Sequence, residues 1–98
     1  MYGTIAKFHV KAGKEQALRE LTDEHADAID GMVFEHVFRM DNDPQVLYIV
    51  VAFESKDAYR KNAESPEMHQ RYLQYRELLD ADPEWHDGEV IDSSLHDN

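Results

Sequence analysis

Three groups of residues in this 98-residue chain have types and spacings suited to chemistry. The first is centred on His36, which stands between Phe34 and Phe38 within Met32 to Met40. The even positions Met32, Phe34, His36, Phe38 and Met40 form a mostly apolar face with one imidazole in it. Imidazole is the side chain best suited to move a proton near neutral pH. His36 therefore reads either as a packed strand residue or as an acid/base group in a pocket. The second group is Met68, Tyr72, Tyr75 and Leu79, spaced as one stripe of a helix. A buried tyrosine needs a partner for its hydroxyl. In a core that partner is a neighbouring side chain; in a cavity it can be a phenolic or quinoid ligand. The third group flanks that stripe. Asn62 can bind a carbonyl or cap a helix break, Arg76 can hold an anionic oxygen or pair with Asp80 one turn on, and His69 stands beside them. Taken together, His36 and Tyr72 are the candidate catalytic residues. Asn62, Phe34, Met68, Tyr75 and Arg76 are the candidate substrate contacts.

No metal is expected. Cysteine is absent, and none of His9, His25, His36, His69, His86 and His96 falls in an H-x-H or H-x-x-x-H arrangement. Antiparallel pairing of the last strand with the first would bring His9 near His86, as a metal pair or as two half-exposed strand residues. His25 lies on an apolar helical stripe and reads as packing. The net charge of −11 argues against nucleic acid and anionic membranes as partners. After Arg76 there is no Lys or Arg, yet seven acidic residues follow, from Asp80 to Asp97, which reads as a solvated acidic end. The N-terminus lacks the basic stretch and apolar run of a secretory leader. The longest apolar run, Val46 to Phe53, is too short to span a bilayer. A cytoplasmic protein is expected.

These residues need elements to position them. Tyr2 to Val10 alternates loosely and is rich in β-branched and aromatic residues, which predicts a first strand. Glu15 to Ile29 changes period: Leu18, Leu21, His25, Ala28 and Ile29 share a helical face, and Glu20, Asp23, Glu24 and Asp27 share the other. Gly31 stands where a left-handed residue ends a helix. Met32 to Met40 is the second strand, Asp41 to Gln45 a hairpin loop, and Val46 to Glu54 the third strand. Ser55 can cap a short helix over Lys56 to Ala63. Ser65-Pro66 starts a further helical segment, ended by Asp82-Pro83. Trp85 to Ile91 is the fourth strand. One domain over residues 2–91 and a polar tail over 92–98 are expected.

The order β-α-β-β-α-β is the ferredoxin-like plan of the α+β class, an antiparallel sheet with its helices on one face. A sheet wet on its second face should alternate apolar and polar residues. The third strand does not: Val46, Leu47, Tyr48, Ile49, Val50, Val51, Ala52 and Phe53 put apolar groups on both faces. At roughly 25 cal/mol per Å², several wet side chains forfeit several kcal/mol. A domain of this size buries only about 60–65% of its unfolded surface and has little to spare. A second copy of the sheet is the simplest cover, so a homodimer is expected.

Several segments, in order, resemble the antibiotic biosynthesis monooxygenase-like family of dimeric α+β barrels. They are Val10-Lys11-Ala12-Gly13-Lys14 after the first strand, Asp30-Gly31-Met32-Val33-Phe34-Glu35-His36-Val37-Phe38-Arg39 through the second, Val50-Val51-Ala52-Phe53-Glu54-Ser55-Lys56-Asp57-Ala58-Tyr59 out of the third, and Ser65-Pro66-Glu67-Met68-His69 at the helix start. The family often has Trp where this chain has Phe53. The resemblance implies a dimeric barrel, a pocket between the sheet and the second helix, and a cofactor-independent monooxygenase acting on a small aromatic, quinol or polyketide-type substrate. A non-catalytic small-molecule-binding domain is the alternative. The family's haem-degrading branch carries an Asn, a Trp and an axial His where this chain has Ala6, Asn62 and Tyr72. No haem is therefore expected, and the resemblance to cofactor-independent members implies no other cofactor.

Overall fold

The computed structural model describes residues 1–26 and 28–95. Asp27 of the expected polar helix face, and His96, Asp97 and Asn98 of the expected tail, lie outside the described residues. The elements are β1 (Tyr2–His9), α1 (Glu15–Ala26), β2 (Met32–Arg39), β3 (Val46–Phe53), α2 (Lys56–Ala63), α3 (Pro66–Glu77) and β4 (Glu84–Glu89). The strands form one sheet in the order β2-β3-β1-β4, every neighbouring pair antiparallel, with the helices on one face. This is the expected ferredoxin-like α+β arrangement. No described helix is long and apolar enough to cross a membrane.

Local chemistry explains the element ends. Ser55 Oγ accepts from the Ala58 N–H at 3.0 Å and Ser65 Oγ from the Met68 N–H at 3.1 Å, so each serine satisfies an orphan donor at a helix start. Pro66 takes the first helical position of α3. The helix α1 is shorter than its apolar spacing suggests. It stops at Ala26, and Ala28, expected on the buried stripe, is exposed in the turn that follows. Gly31, at φ 79°, carries the chain into β2 and accepts from the Glu54 N–H at 2.8 Å. The fourth strand, at a sheet edge, begins and ends earlier than expected, and all six of its residues are exposed.

Two expected pairings give way to others. His9 does not meet His86. Ile5 is the residue opposite His86, and His9 lies four residues further along β1, about 13 Å away. His9 instead places Nδ1 3.2 Å from Asp80 and Nε2 3.8 Å from Asp43. With Asp80 engaged there, Arg76 pairs with Asp82 at 2.8 Å and also donates to the Leu79 carbonyl at 3.0 Å. His25 bonds Gln74 of α3 at 3.1 Å, tying α1 to α3.

The core lies between the sheet and α1 and the end of α3. Ala6, Phe8, Val10, Leu18, Leu47, Ile49 and Leu79 are buried there, with Val51, Tyr75 and Leu78 packed against them. Thr22, also buried, donates to the Leu18 carbonyl at 3.0 Å. On the opposite face, Phe34, His36 and Phe38 of β2 lie across from Ala52, Val50 and Tyr48 of β3. Ile5 and Phe38 are 49% and 53% exposed on this face. No helix covers it.

The two central strands leave no room for a side chain at Gly3. A Cβ placed there would stand 1.8 Å from the Val51 carbonyl oxygen. Backbone cannot yield as a side chain does, so Gly3→Ala must part β1 from β3. A loss of roughly 3 kcal/mol or more is expected, seen as a fall in melting temperature of more than about 10 °C.

Candidate functional site

A cavity of about 440 Å³ lies between the helix-side face of the sheet and the pair α2 and α3. Its floor is built by strand register. Glu35 faces Val51, Val51 faces Thr4, and Thr4 faces Asp87, so one row crosses all four strands. With strands about 4.8 Å apart, this row is roughly 14 Å from end to end. The adjacent row supplies Ile49, Ala6 and Trp85. Ala6 is small, which leaves depth in the floor. The helices provide the roof: Tyr59, Asn62 and Ala63 from α2, and Met68, His69, Arg71, Tyr72 and Tyr75 from α3.

The aromatic walls are mutually braced. Phe8 packs edge-on against Tyr75 and Trp85, at 6.0 and 5.7 Å between centroids, and Tyr59 against Tyr2 and Phe53, at 5.3 and 5.6 Å. Tyr59 donates to Asp87 at 2.7 Å. Burial and that bond push its hydroxyl up to about 12. Tyr75 is also raised, by burial first, and its hydroxyl lies 3.4 Å from Thr22 Oγ1. Thr4 Oγ1 is buried without a hydrogen-bond partner of good geometry. The Tyr59 hydroxyl donates its own proton to Asp87, and its oxygen is near enough to feel the Thr4 hydroxyl. Glu35 is held above the usual carboxylate range, by burial first and then by the like charge of Asp23.

Of the residues singled out from the sequence, Asn62, Met68, Tyr72 and Tyr75 come together around this cavity. Three do not. Arg76 turns to Asp82 and the Leu79 carbonyl. His36 and Phe34 lie on the other face of the sheet, their rings 5.3 Å apart. The cause is a register shift between Met32 and Phe34. Met32 faces the cavity, but the extra residue Val33 exchanges the two faces beyond it, so that the odd positions Glu35, Val37 and Arg39 turn toward the helices. Sequence reasoning missed Glu35 for this reason. It also left Thr4, Tyr59 and Arg71 unassigned, gave Trp85 only the start of the fourth strand, and placed Asp87 in the acidic end. Simple alternation from Trp85 puts Asp87 on the same face, which was a usable signal. Among the described residues, no cluster of three or more His, Cys, Asp or Glu is placed to hold a metal.

A four-stranded antiparallel sheet with helices on one face and an aromatic cavity beneath them defines a ferredoxin-like α+β protein with a small-molecule-sized chamber. The chain belongs to the antibiotic biosynthesis monooxygenase family, whose model matches residues 1–72. Its fold is similar to that of a Deinococcus radiodurans protein provisionally named an antibiotic biosynthesis monooxygenase (TM-score 0.79, 18% identity, 100% of each chain covered). It is also similar to Rv0793 from Mycobacterium tuberculosis (TM-score 0.76, 22% identity, 96% of this chain and 98% of that one). A conserved protein from Methanosarcina mazei matches with TM-score 0.77 and 18% identity over 89% of each chain. At these identities the likeness speaks for the fold. No curated protein matches the chain in sequence.

The raised Glu35 has a consequence for stability. A carboxyl whose folded pKa lies above its unfolded value of 4.5 favours the folded state below that pH. That contribution is lost as pH rises through the folded pKa. Glu35→Gln is therefore expected to be more stable than the parent at pH 7, and to lose this advantage below about pH 4. Urea unfolding at both pH values checks it.

Proposed function

We propose that the chain is a homodimeric, cofactor-independent monooxygenase that acts on a small aromatic, quinol or polyketide-type substrate in the helix-side cavity. One observation carries the reading: an apolar, aromatic chamber of about 440 Å³ is lined by a few polar groups aimed inward, among them Asn62, Tyr72 and Glu35. Binding sites for small organic molecules have this character. In such a reaction the substrate is deprotonated and passes an electron to dioxygen. The two radicals then combine. For an activated CH₂ group the outcome is C=O plus one water, so that one oxygen atom enters the product and the other leaves as water. The protein's part is to exclude solvent, accept a proton and stabilise developing oxyanions. Tyr72 and Asn62, on the roof, are donors for such oxygens.

The same reading assigns the other face of the sheet to a second copy of the chain. Ile5, Val50, Tyr48 and Phe38 form an apolar surface there that the helices leave uncovered. Val50 belongs to this surface, whereas Val51 belongs to the cavity floor. Light scattering should give about twice 11.4 kDa. Val50→Lys should reduce it to one protomer's mass; a folded, soluble monomer without the substitution would contradict the dimer.

Oxygen uptake over a panel of hydroquinones and anthrones tests the activity. Uptake with at least one of them is expected, and Tyr72→Phe should slow it at least about tenfold with little change in melting temperature. Saturable binding with no uptake across the panel would instead favour a non-catalytic binding domain.

A further inference from the structure

We propose that Glu35 is the base of this cavity, and that it takes the proton of a phenolic hydroxyl on a substrate lying across the strands, with a second substrate oxygen over Thr4. This inference rests on the reading of the cavity as an aromatic-substrate site. Glu35 occupies one end of the cross-strand row, Val51 gives an apolar seat beside it, and Thr4 follows. Thr4 is about 10 Å from Glu35 between backbones, a span that one aromatic ring with oxygens at opposite ends can bridge once both side chains reach inward. Thr4 is 8% exposed, and its hydroxyl makes no hydrogen bond of good geometry, with only the Tyr59 oxygen near it. A buried hydroxyl left so costs free energy that a ligand oxygen would return.

Glu35 has no structural duty that would explain a carboxylate there. Among the described residues it makes no hydrogen bond or ion pair. The cation on its own strand face, Arg39, is taken by a bidentate pair with Glu15 at 2.5 and 2.6 Å. The groups that face the cavity and its surroundings from each neighbouring element are Asp23 from α1, Tyr59 from α2, His69, Arg71, Tyr72 and Tyr75 from α3, and Asp87 from β4. The strands β1 and β3 contribute the non-titrating Thr4 and Val51. Asp87 already accepts from Tyr59. Glu35 is thus the carboxylate on the row whose acceptor capacity is uncommitted. In the transfer, the substrate O–H bond breaks, its proton forms an O–H bond on a Glu35 oxygen, and the electron pair stays on the phenolate. The neutral acid no longer opposes Asp23, and Arg71 is the cation lining the cavity for the phenolate. Burial has moved Glu35 toward the range of a useful base.

4-Nitrophenol is the probe, because its phenolate has its own absorption band. Bound to the parent chain, it should ionise at a higher pH than in free solution, since the Glu35 carboxylate accepts its hydrogen and repels its anion. Glu35→Gln should lower the ionisation midpoint of the bound probe by about one unit or more. Glu35→Asp, which keeps the charge, should retain the parent's direction of shift, so that loss of fold and loss of the carboxylate are told apart. His36→Gln, on the other face, should leave the midpoint in place. Saturable binding with a midpoint unmoved by Glu35→Gln, or moved by His69→Gln instead, would overturn the role of Glu35 alone. No saturable binding to the parent would overturn both this role and the aromatic-substrate reading.

Discussion

The central strand β3 presents apolar side chains on both of its faces, and each face has to be kept from water. Leu47, Ile49, Val51 and Phe53 look toward the helices, while Tyr48, Val50 and Ala52 look away. The helices α1, α2 and α3 cover the first set, closely near Leu47 and Ile49 and more loosely beyond, where α2 and α3 stand off the floor. That difference separates core from cavity. Within one protomer's described residues Ala52 of the second set is buried, but Tyr48 and Val50 stay partly exposed, and Ile5 and Phe38 extend that surface onto the neighbouring strands. A second sheet laid on it is the proposed solution.

The partition of residues between these two faces depends on one extra residue in β2. The bulge at Val33 reverses the alternation of everything after it. It sends Phe34, His36 and Phe38 to the open face and Glu35 and Arg39 to the helix face. Arg39 finds Glu15 at the start of α1, which draws that carboxyl below its ordinary range through their hydrogen bonds. Glu35 is left over the cavity. Charged residues on the helix side of a strand whose Phe34 and Phe38 face outward reverse a monomer's usual pattern, in keeping with the proposed second cover.

This is also where the sequence was hardest to read. The element order, the two serine caps, Pro66 at its helix start and the left-handed Gly31 are local signals, and local chemistry settles them. So does the tyrosine and methionine stripe of α3, whose period survives without knowledge of the partner surface. The side to which His36 points is not local. Period-2 patterning identifies two faces but not which one meets the helices, and a bulge between Met32 and Phe34 leaves no mark in residue type. The pairing of His9 with Asp80 and Asp43 depends likewise on where three distant segments finish, and so does the turning of Arg76 to Asp82.

The most direct measurement uses the chain's one tryptophan, Trp85, which lines the cavity and packs against Phe8. Its fluorescence is followed while 1-naphthol is titrated into the parent chain and into two variants that differ in which face of β3 they enlarge. Val51→Phe fills the cavity floor, whereas Val50→Phe adds the same bulk to the other face. The expected result is a saturable change in the parent and in Val50→Phe that is lost in Val51→Phe. Loss in Val50→Phe with retention in Val51→Phe, or no saturable change in the parent, would contradict the assignment of the helix-side cavity as the ligand site.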